Sequence, residues 1–112
     1  MDLNEMKLGD LKELLALLKG GNSSETAYKL GQSYLFRTVT HYWVGKIVSI
    51  YENEVVLENA SWVADTGRFS ECLSSGFPEN AEYETAIGKT IVHRAAIVDA
   101  SEWKHELPKT SK

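Results

Sequence analysis

The eight residues Trp62-Val63-Ala64-Asp65-Thr66-Gly67-Arg68-Phe69 hold two large aromatics, a carboxylate, a hydroxyl, a glycine and a guanidinium. Together they could grip a nucleotide, with Arg68 as a fork for phosphate or carboxylate, Thr66 as a hydroxyl donor, and Trp62 or Phe69 as stacking faces for a purine. Each residue also has an ordinary structural use. Asp65 and Thr66 suit turn or capping hydrogen bonds ahead of a helical turn beginning near Phe69, both aromatics suit core packing, and Asp65 could brace the loop by pairing with Arg68. Asp65-Thr66-Gly67 further spells the aspartic-protease triplet, in which two carboxylates of a dimer share one proton. Arg68 argues against that chemistry, because a guanidinium beside Asp65 would hold the carboxylate ionised. The segment is therefore read as a binding loop, and the chain as a non-enzyme.

The remaining reactive residues are scattered. His41, His93 and His105 lie far apart, and Cys72 is the only cysteine, so neither a metal site nor an internal disulfide is expected. No serine sits in a nucleophile elbow, Gly20-Gly21 lacks the lysine of a phosphate-binding loop, and no cofactor is expected. A net charge of -4 gives no basic field for coating nucleic acid, so nucleic acid is not an expected partner. The lone thiol, and the lack of a signal peptide or membrane-spanning run, lead us to expect a cytoplasmic protein, in a host cell if phage-encoded.

These residues need a scaffold, and the chain is long enough for one small domain. Leu8, Leu11, Leu15 and Leu18 recur at helical spacing, predicting an amphipathic helix over 1–21 that ends at Gly20-Gly21. A polar linker over 22–33 follows. Residues 34–103 read as a β domain: one long strand from Tyr34 to Tyr51 bent or bulged at Gly45, a tight turn at Glu52-Asn53, and a partner strand from Glu54 to Ser61. A short helical turn from Phe69 stops near Gly76, and later strands occupy 82–86 and 90–99. The tail, 104–112, has no apolar periodicity and is expected to fray or to lie on a partner. The fold class expected is mainly β: a helix, then a small bent five-stranded barrel with a loop and helical turn inserted around 62–80.

Val44-Gly45-Lys46-Ile47-Val48-Ser49-Ile50-Tyr51-Glu52-Asn53-Glu54-Val55-Val56-Leu57-Glu58-Asn59-Ala60 resembles the first motif of the Sm-like family, and Ile91-Val92-His93-Arg94-Ala95-Ala96-Ile97-Val98 resembles its second. That likeness implies an SH3-like barrel assembling into rings, with Asn53 and Arg94 at ligand-binding positions. The run 56–69 and the ending Trp103-Lys104-His105-Glu106-Leu107-Pro108 are similar to an uncharacterised family of small proteins from phage and prophage genomes. This second likeness implies a phage-type origin, where small accessory proteins serve as virion parts or as inhibitors of host defence.

The expectation is thus a homo-oligomer that binds a small anionic, nucleotide-like ligand at subunit boundaries through Trp62, Asp65, Thr66, Arg68, Phe69, Arg94 and Asn53, sequestering an immune signal. The alternative is a structural component of a phage particle with no small-molecule ligand.

Overall fold

A computed structural model describes residues 26–112. The expected N-terminal helix, 1–21, and residues 22–25 of the expected linker lie outside the described residues. Six strands form one antiparallel sheet: β1 (Ser33–Thr38), β2 (Tyr42–Ile50), β3 (Glu54–Asp65), β4 (Glu82–Thr85), β5 (Thr90–His93) and β6 (Ile97–Glu102). The spatial order is β4-β3-β2-β1-β6, with β5 also on β3. One short helix, α1 (Phe69–Ser75), connects β3 to β4.

The main correction concerns closure and strand number. Among the described residues six strands replace the expected five and no ladder joins β5 to β6, so the sheet they form is not closed. The expected strand over 90–99 is interrupted by a 3-10 turn at Arg94–Ala96. The expected long strand from Tyr34 to Tyr51 is likewise two strands, reversing at Val39-Thr40-His41. There the Thr38 amide and hydroxyl both donate to the His41 carbonyl, at 2.8 and 2.7 Å, which fixes the turn. Apolar residues in both alternation phases led to one strand in sequence, because β1 and β2 each bury both faces.

Gly45 does sit at a bulge. It lies opposite Asn59 and Ala60 on β3, where the register shifts and Asn59 takes φ 50°. A Cβ at Gly45 would stand 3.1 Å from that of Ala60, so only glycine lets the strands approach without displacement. The bulge also breaks the period of two, leaving Ala60 and Ser61 both buried. The Glu52-Asn53 turn forms as expected, with the Tyr51 amide donating to the Glu54 carbonyl at 2.8 Å.

The two faces carry separate cores. Tyr34, Phe36, Ile47, Val55, Leu57, Ala60 and Val92 pack on one face. Leu35, Val44, Val63, Cys72 and Trp103 pack on the other, beneath α1 and Phe77. Residues within the expected linker take part, since Tyr28 meets Tyr34 edge-on at 5.4 Å and Ser33 begins β1. The expected loose tail is another correction: it is pinned to its own chain. Leu107 packs on the second core, Trp103 donates to the Glu106 carbonyl at 3.2 Å, and Lys112 and Tyr83 exchange two backbone hydrogen bonds. That exchange occupies the outer edge of β4, so the tail supplies the pairing that an edge strand lacks.

Candidate functional site

The binding loop leaves β3 at Asp65 and enters α1 at Phe69. Asp65 Oδ1 accepts the Gly67 amide at 2.8 Å, and the Thr66 hydroxyl donates to the Gly67 carbonyl at 2.8 Å. Both side chains therefore fasten the turn, as their ordinary structural reading anticipated. Thr66 is buried at 4 % exposure, so its hydroxyl is committed and is not offered to a ligand. Gly67 has φ +68°, and a Cβ there would collide with the Pro78 ring. The loop is rigid because a turn, a buried hydroxyl and a close approach all fix the same three residues.

Arg68 and Phe69 project from this anchored turn. The Arg68 backbone carbonyl accepts the Cys72 amide at 2.9 Å, while its side chain is exposed. Among the described residues the ion pairs are Arg37–Asp99 and Lys46–Glu58, so the Asp65–Arg68 pair that the sequence allows does not form and the guanidinium is in no ion pair. Phe69 stacks on Tyr42 with centroids 6.0 Å apart and planes 29° apart, and keeps 37 % of its surface exposed. A guanidinium next to a half-open aromatic stack can clamp an anion and a flat ring together.

Trp62 does not join them. It pairs across strands with Trp43, which packs on the first core, whereas Tyr42, on which Phe69 stacks, packs on the second. Trp62 and the Phe69–Tyr42 stack thus lie on opposite faces of the sheet. Trp62 instead forms a cluster with His41, at 5.2 Å between centroids. The comparisons with known proteins add nothing to this. No family model, curated protein or solved structure matches the chain.

Asn53 and Arg94 come together, but elsewhere. The Arg94 amide donates to the Asn53 carbonyl at 2.9 Å, at the opposite end of β3 from Asp65. The Arg94 side chain donates to the Tyr51 carbonyl at 3.0 Å and to the Thr26 hydroxyl at 3.4 Å, and lies 5.7 Å from the centre of the Tyr28 ring. Two of its donors are thus spent, one on the Tyr51 carbonyl and one on the incoming chain at Thr26. Asn53 and Arg94 are therefore separated from Arg68 by the length of β3, on the order of 35 Å of extended strand.

Sequence reasoning missed two features. His41 is wedged between Trp43 and Trp62 with its Nε2 buried and unpartnered, and burial lowers its pKa. A groove of about 730 Å³ also runs between the Asn59-Ala60 bulge, the Thr85–Ile87 turn and the tail from His105 to Lys109. The groove carried no sequence signal, because it depends on a tail that docks. Cys72 is fully buried and its thiol is pushed up to about 11 by desolvation, which makes it a packing group. No cluster of metal-ligating side chains occurs among the described residues.

Proposed function

We propose that this chain is a non-enzymatic, self-assembling phage-type protein that sequesters a small anionic ligand, a nucleotide signal of host defence. The observation carrying the reading is the exposed Arg68 guanidinium, in no ion pair, on the residue that precedes Phe69 of the Phe69–Tyr42 stack, presented by a turn that is already fastened. Pre-formed sites lose little entropy on binding, so fastening the turn favours affinity. One protomer supplies only part of a pocket here. Trp62 and the Asn53–Arg94 corner would reach the same ligand only from a neighbouring subunit, which fits a site at a subunit boundary.

The barrel reading belongs to the same proposal. β5 pairs with β3, β6 pairs with β1, and only the three residues Arg94–Ala96 separate them. This arrangement supports an SH3-like, Sm-like barrel left open between β5 and β6, with α1 and β4 inserted after its third strand. The reading as a structural phage component draws on other residues, namely the exposed apolar side chains of Val39, Ile87, Ile91 and Val98. Titration calorimetry with nucleotides purified from defence-activated cells separates the two. Sequestration requires saturable binding that Arg68→Ala removes without changing the oligomer, whereas the structural reading requires no binding heat.

A further inference from the structure

The hydrogen-bond register shows which backbone groups of β6 lack a partner. Trp103 donates to the Ser33 carbonyl at 2.9 Å, and the ladder then pairs Leu35 with Ser101 and Arg37 with Asp99. In an antiparallel ladder the intervening residues turn their N–H and C=O groups away, so those of Ala100 and Glu102 point off the sheet. Among the described residues no strand pairs with that edge. β6 has no proline or lysine between Ile97 and Glu102, and its Val98, 57 % exposed, sits where the β1–β6 register shifts. The tail covers the edge of β4, whereas among the described residues this edge stays open.

We propose that the free edge of β6 pairs antiparallel with β6 of a second copy, with Ala100 facing Ala100 at the two-fold axis. This names the contact behind the self-assembly in the preceding reading, and it rests on that reading. The register follows from charge and bonding direction. Centring on Glu102 would set two carboxylates face to face, and centring on Val98 would run the strand into the 3-10 turn. Centring on Ala100 places a small side chain on the axis, sets Asp99 against the Ser101 hydroxyl, and brings Glu102 to the level of Val98 at the bulge. Asp99 already carries Arg37 as its counter-ion, so no bare like-charge pair arises.

The test is sedimentation of the full chain over a concentration series. Ala100→Pro deletes an outward N–H and leaves the β1 ladder intact, and should weaken association by about tenfold or more, because both central hydrogen bonds are lost. Val98→Glu should also weaken it, by setting carboxylates of the two copies together, and adding Glu102→Lys should restore it. The charge pair decides the matter even where Ala100→Pro fails to fold. An oligomer indifferent to Val98→Glu overturns this edge while leaving self-assembly standing. A wild-type monomer across the series overturns self-assembly and the edge with it.

Discussion

Gly67→Ala tests whether the Asp65–Arg68 turn is held as rigidly as its contacts imply. At φ +68° a side chain costs about 1 kcal/mol of left-handed strain. The new methyl would also collide with the Pro78 ring and sit 3.0 Å from Asn80 Oδ1. Relieving such overpacking costs roughly 1–3 kcal/mol, so the total loss should be about 2–4 kcal/mol. For a domain of this size that corresponds to a fall in Tm of roughly 10 °C or more. Gly88→Ala is the control, since Gly88 has φ +77° but nothing within 4 Å of its Cβ position, and it should lose only the strain of about 1 kcal/mol. Urea unfolding followed by tryptophan fluorescence measures both. If Gly67→Ala costs no more than Gly88→Ala, the turn is not pinned against Pro78 and the rigid presentation of Arg68 is wrong.

Three further outcomes follow from burial and the tail. Cys72 should resist thiol reagents at pH 8 in the folded protein and react fully in denaturant. The unfolded thiol ionises near 9.0 while the folded one stays neutral to about 11, so stability should fall progressively between those values, and Cys72→Ala should flatten that limb. His41 behaves oppositely: burial lowers its pKa, so the unfolded chain binds the proton first and Tm should drop as pH falls through 6.5, less so in His41→Asn. Removing residues 107–112 should cost about 1–3 kcal/mol through the lost Leu107 packing and the Tyr83–Lys112 bridge, measured by thermal unfolding.

Local signals were legible where one residue dictates geometry. Gly45 marked the bulge, Glu52-Asn53 marked the hairpin, and Gly76, at φ +89°, marked the end of α1. Long-range pairing was not legible. The strand over 34–51 was read as continuous because Thr38, Thr40 and His41 make a turn without glycine or proline, through hydroxyl hydrogen bonds that composition does not advertise. The tail lacks periodicity because it is held by hydrogen bonds at His105, Glu106, Ser111 and Lys112 and by one packed leucine. Within the site, adjacency in sequence suggested that Trp62 and Phe69 act together. Strand alternation parts them, and Arg94, a basic residue that looked available, is occupied by Tyr51 and Thr26.

Sequestration is tested most directly by native mass spectrometry of wild-type and Arg68→Ala protein after mixing with an extract of defence-activated cells. The account predicts a wild-type oligomer carrying a discrete added mass in the nucleotide range, and an Arg68→Ala oligomer of the same size without it. A wild-type oligomer with no added mass, or equal loading of both proteins, would contradict it.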